Sequence, residues 1–307
     1  MSARIERKTR ETIAKSDHFA AILPLEEPYI PDTVDLVERI ERIVSASGAR
    51  VLLHPEMRKI EAAEQGGGGL LSFGRPTRTR MVFLVIDHVG IWIAARAGEY
   101  EFRSGLTRWV NTDLWPGGPA EVARHRAWVE IADLGFMRDR GVARLDRAFN
   151  RAAAVTAATA AVAEACNPLA VLWYPAKNTL PVNAFSDQVG QVVNGRAPLA
   201  LWMRYLYIRS DDPELNEGVV TKGLAPFCDH EIEVLPSTLS PSDARAMAFE
   251  FARLVIDRGT EPRSGMLLTP GRSHTATVRV GESELHRGLR VYELTVSARG
   301  TASASRA

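Results

Sequence analysis

Residues 81–95 read MVFLVIDHVGIWIAA, and the fold is decided here. Two apolar runs, Met81–Ile86 and Ile91–Ala95, flank Asp87-His88-Val89-Gly90, the turn chemistry of a β-hairpin. Upstream, Arg50–His54 (RVLLH) reads as a further strand. Before it, Val34, Val37, Ile40, Ile43 and Val44 recur at three- and four-residue spacing, which predicts a helix. Asp32 or Thr33 caps its start and Gly48 its end. His18–Leu25 (HFAAILPL), bounded by prolines at 24, 28 and 31, predicts a buried strand and its exit. Between strand and hairpin, Glu61–Arg80 holds Gly66–Gly69 and the basic Arg75, Arg78 and Arg80, and reads as a mobile loop.

Downstream, a short helix over Ala120–Arg126 leads into a strand over Trp128–Leu134. The Ala-rich Val142–Asn167 is the longest helix candidate, stopped by Asn167-Pro168. Strands over Leu169–Tyr174 and Leu199–Arg209 enclose a helix over Asn183–Asn194, and Val219–Leu235 continues extended, interrupted at Pro226. Ser240-Pro241-Ser242-Asp243 is a strong helix start, and Gly259 is its stop. Met266–Thr269, Thr275–Val280 and Arg290–Val296 complete the strands. Both halves thus share one order of elements, which predicts an α+β protein of two ferredoxin-like βαββαβ units in tandem. The alternative is a single mixed sheet with helices on one face. The expected division is a polar arm over 1–17, α+β halves over 18–140 and 141–296, and a disordered tail over 297–307.

The 307 residues carry 38 basic and 37 acidic side chains, a formal charge of +1, so no general field favours nucleic acid or an anionic membrane. Arginine supplies 33 of the cations and lysine 5. Two cysteines, Cys166 and Cys228, are too few for a disulfide framework. The first sixteen residues lack the apolar centre of a secretory signal, and no window is long and apolar enough to span a membrane. A soluble cytoplasmic protein is expected.

The most distinctive stretch runs from Ala197 to Val234: an aromatic segment with Trp202, then Thr221-Lys222-Gly223-Leu224, Phe227 and Glu231-Ile232-Glu233-Val234. It resembles the bacterial family called domain of unknown function 4261, whose members carry a similar Trp-bearing strand, Thr-x-Gly-Leu turn, Phe and Glu-x-Glu strand. The resemblance is clearest over residues 197–280. It implies a compact α+β bacterial protein and carries no established activity. Cys228-Asp229-His230 departs from the small or basic residues expected there, so a ligand role for that tripeptide would belong to this chain alone.

Glu231 and Glu233, two apart on a strand, project from one face; paired carboxylates can do acid–base or metal work. The simpler reading is a solvated sheet face, or partners for Arg204 and Arg209. Thr221 and Gly223 set a tight turn. Cys228 and His230 also share a face, but zinc asks for three or four ligands, and the other histidines are scattered singly. No metal, cofactor or catalytic set is expected. Gly66–Gly69 lacks the Gly-Lys-Ser/Thr of a nucleotide loop. Phe73, Arg75 and Arg78 in that loop, with Trp109 and Trp115 in a Pro/Gly-rich segment, are candidate partner contacts, core packing being the rival reading for the two tryptophans.

These residues point to a non-catalytic protein-binding module working through loops or a sheet edge, one version being an immunity-type or accessory protein of a bacterial toxin or secretion system. The partner's identity and the oligomeric state are left open. The alternative is a hydrolase or small-ligand-binding enzyme with its site around Thr221, His230, Glu231 and Glu233.

Overall fold

The computed structural model describes residues 18–29, 32–53, 80–100, 103–112, 114–134, 143–269 and 274–298. The predicted loop with Phe73, Arg75 and Arg78 lies outside them, as do the arm over 1–17 and all but the first two residues of the tail. Among the described residues the order is β1 (Ala20–Leu25), α1 (Thr33–Val44), β2 (Val51–Leu53), β3 (Arg80–Ile86), β4 (Val89–Ala97), α2 (Arg103–Arg108), α3 (Gly118–Val122), β5 (Ala127–Asp133) and α4 (Arg144–Cys166). There follow β6 (Val171–Trp173), β7 (Asn178–Leu180), α5 (Val182–Val193), α6 (Leu199–Trp202), β8 (Arg204–Ile208), β9 (Gly218–Lys222) and α7 (Ala225–Cys228). The chain ends with β10 (Glu231–Val234), α8 (Pro241–Ile256), β11 (Leu267–Leu268), β12 (His274–Glu282) and β13 (Arg290–Ala298).

The protein is α+β with two sheets. The first has the order β2-β3-β4-β5-β1-β6-β7 and is antiparallel throughout. The second has the order β11-β12-β13-β10-β9-β8, with β10 and β13 its parallel pair. The hairpin forms as expected, with Ile86 opposite Val89. Its turn is therefore Asp87-His88 alone, Asp87 taking a left-handed φ of 53°. The Asp87 carboxylate accepts from the Arg50 amide at 2.8 Å, which ties β2 to the hairpin.

Two expectations about organisation are corrected. The strand order does not repeat a ferredoxin-like unit, because β1 pairs antiparallel with both β5 and β6. The division at 140/141 also fails to separate the sheets: β6 and β7, which follow it, extend the first sheet. Residues Leu199–Arg209 are not one strand. Pro198 opens a single helical turn, α6, and the chain straightens only after Met203. Val219–Leu235 is likewise broken by α7, with Pro226 in its first turn.

α4 explains the layering. Its residues from Ala154 to Ala163 are buried all round, so it is an inner helix rather than an amphipathic surface one. Alanine's small side chain lets the face of the first sheet, α1 and α7 all approach its backbone. Helix α1 begins at Asp32, whose carboxylate accepts from the amides of Val34 and Asp35. Its buried stripe is Thr33, Leu36, Ile40 and Val44, rotated from the predicted face, with Val34 66% exposed. α8 starts as predicted, with Ser240 accepting from the Asp243 amide, and covers β9 and β10. No helix among the described residues is long and apolar enough to cross a membrane.

Candidate functional site

The turn 221–225 is built around one buried carboxylate. Glu231, at the start of β10, is 5% exposed and accepts from the amides of Gly223 at 2.8 Å, Leu224 at 3.1 Å and Ala225 at 3.2 Å. The Thr221 hydroxyl donates to its other oxygen at 2.8 Å and itself accepts from the Ile232 amide at 2.7 Å. Burial raises the Glu231 pKa against the lowering effect of these donors. Gly223 has φ 117°, and a Cβ there would lie 2.2 Å from the Trp202 carbonyl oxygen. Glycine is therefore required by both conformation and space. Thr221, Gly223 and Glu231 are thus brought together, and the direct chemistry they perform is to hold the chain.

Glu233 goes elsewhere. It is fully buried and accepts from the Ser283 hydroxyl at 2.9 Å, with His286 at 3.9 Å. Ser283 in turn accepts from the amides of Leu285 and His286, closing the β12–β13 turn. The solvated sheet face expected for Glu231 and Glu233 is therefore overturned: both carboxylates are interior, each satisfied by a turn that folds over it. No ion pair joins either of them to Arg204 or Arg209 among the described residues.

His230 stacks on Tyr292 at 4.4 Å, and its Nδ1 bonds the Cys228 carbonyl at 2.9 Å. The Cys228 thiol is pushed up to about 12 by burial, far from thiolate character. One cavity of about 500 Å³ lies beside α8 and another of about 320 Å³ between α1, the hairpin turn, α4 and α5. Neither is lined by Thr221, His230, Glu231 or Glu233. No group of three His, Cys, Asp or Glu among the described residues could hold a metal ion.

Trp202 and Phe227 are fully buried and stack at 5.2 Å, part of a column with Trp173, Phe19 and Phe149. Trp202 Nε1 donates to the Thr156 hydroxyl at 3.1 Å. Trp109 and Trp115 are half-buried, packed on a second apolar cluster beneath α2 and α3. Trp115 closes over Gly118, where a Cβ would stand 2.4 Å from its ring.

Sequence reasoning missed two features. The first is the free edge of β8. Among the described residues its only hydrogen-bonded neighbour strand is β9, and Leu206 and Tyr207 are 38% and 47% exposed. The other strand ends are shorter: β2 and β7 have three residues and β11 two. The second is a group of three cations, Lys177, Arg204 and Lys222, where the sheets meet. The signal available was composition, for two of the chain's five lysines meet here. No protein-family profile, curated protein or solved structure matches the chain.

Proposed function

We propose that this protein is a protein-binding module that takes up an extended segment of a partner along the free edge of β8. The observation that carries this reading is the edge itself: five residues with no strand on the outer side among the described residues, and apolar side chains at its centre. An exposed apolar edge offers main-chain hydrogen bonds to any extended chain, which is both an aggregation hazard and a recognition mode. Arg204 and Arg209 at its two ends, the latter 93% exposed, limit indiscriminate pairing. Asp211, Asp212 and Glu214 lie exposed beside the C-terminal end of β8, and Glu217 follows them. They favour a partner whose segment alternates apolar residues and carries lysines or arginines past that loop.

The experiment is amide NMR with a synthetic peptide of alternating valine and threonine ending in three lysines. Binding should perturb and protect amides of Arg204–Ile208 and leave those of β12 unchanged. The double variant Leu206→Lys/Tyr207→Lys should abolish the effect while keeping the spectrum of the fold, and Asp211→Asn/Asp212→Asn should weaken it. Slow hydrogen exchange at every β8 amide in the free protein would show the edge to be covered and would remove the proposal.

A further inference from the structure

We propose that Lys177, Arg204 and Lys222 form a binding site for a phosphate-class oxyanion at the junction of the two sheets. Each comes from a different element. Lys177 sits in the β6–β7 turn with a left-handed φ of 52°, Arg204 opens β8, and Lys222 closes β9 directly opposite Arg204. The positions are held from behind. Glu231 grips the amides of Gly223, Leu224 and Ala225 immediately after Lys222. Arg204 donates one guanidinium N–H to the Lys177 carbonyl at 2.9 Å. The Lys177 ammonium lies 5.0 Å from the ring centre of Trp109, within cation–π reach.

What the three lack is an anion. None of them has a carboxylate within ion-pair distance among the described residues. Arg204 Nε is buried with no hydrogen-bond partner. An unpaired charged donor removed from water is among the costlier features a fold can carry. Burial first, and then the neighbouring Lys177 and Arg204 charges, bring the Lys222 pKa down to about 8, with Glu231 opposing. Burial and its two cationic neighbours thus disfavour the Lys222 charge, and a dianion with several acceptor oxygens would relieve both that repulsion and the unmade Arg204 bond. Arg204 belongs to both readings, whereas Lys177 and Lys222 lie outside β8 and the 211–217 loop, so Lys222→Met tests the anion site without altering the proposed partner edge.

The test is isothermal titration of the full chain at pH 7 with inorganic phosphate and, in parallel, with ribose 5-phosphate. Saturable binding is expected, and a preference for one anion assigns the source as free phosphate or as a small phosphomonoester. Lys222→Met should weaken binding by about tenfold or more, the worth of one charge-assisted hydrogen bond, and Lys222→Arg should restore part of it. A second readout is the Lys222 titration followed by Cε NMR, which phosphate should move upward from about 8. No saturable heat with either anion, or binding unchanged in both Lys222→Met and Arg204→Met, would overturn the site.

Discussion

At Glu231 three backbone amides and one hydroxyl converge on a single carboxylate, and removing it strands all four donors inside the protein. Glu231→Ala should destabilise by about 3–5 kcal/mol, the cost of breaking a buried charged network. Glu231→Gln keeps one acceptor oxygen and should cost about 1–3 kcal/mol. Urea unfolding measures both, and an Ala variant within 1 kcal/mol of the parent, roughly the worth of one neutral bond, would contradict the role given to this side chain. Lys222 works the other way. Its folded-state pKa of about 8 lies below the unfolded value of 10.5, so the folded chain binds fewer protons between those values. Its contribution to stability therefore rises as pH climbs from 8 toward 10.5, with Lys177, Arg204 and Glu231 as the charges facing it. Lys222→Met should stabilise the anion-free protein at pH 7, and the advantage should shrink across that window. A stability difference flat in pH from 7 to 10.5 would mean that burial and repulsion do not act on this lysine as described.

Among the elements, α6 and β8 show why the aromatic run was misread as one strand. Leu199–Trp202 and Arg204–Ile208 are both apolar enough for either structure, and periodicity does not separate short runs. Pro198 and the Trp202–Thr156 hydrogen bond decide the first, while pairing with β9 decides the second. A charge placed at the centre of the β8 edge, Leu206→Lys, should leave thermal stability within about 0.5 kcal/mol, because the side chain is already partly in water. It should lower self-association on concentration, read by light scattering. An equal tendency to associate in both proteins would mean that this edge is not the sticky one.

In the whole molecule the aromatic column joins the sheets. Phe19 and Trp173 belong to the first sheet's side, Phe227 to the β9–β10 connection of the second, and Trp202 stacks between Trp173 and Phe227 at 6.2 and 5.2 Å. The buried core is continuous through it, from Val51 to Leu294. The two sheets should accordingly melt in one calorimetric transition, and Trp202→Ala should lower the stability of both together by about 3–5 kcal/mol. Two resolved transitions, or a variant that melts β8–β13 alone, would show the sheets to be independent units.

The hairpin at 81–95, the caps at Asp32 and Ser240, and the buried alanine helix were all legible as letters, because turn chemistry, capping and stop signals act between residues a few positions apart. The pairing of β1 with both β5 and β6 was not, since strand order depends on which apolar faces find one another over a hundred residues or more. The same holds for the carboxylates. Alternation placed Glu231 and Glu233 on one side of a strand, but whether that side met water or a folded-back turn was settled by Gly223–Ala225 and Ser283, groups whose approach no local pattern announces. Lys177, Arg204 and Lys222 stand up to 45 positions apart in the chain and become neighbours only when the β6–β7 turn packs near the start of β8 and the end of β9, because like charges so spaced gain nothing from one another until packing forces them together.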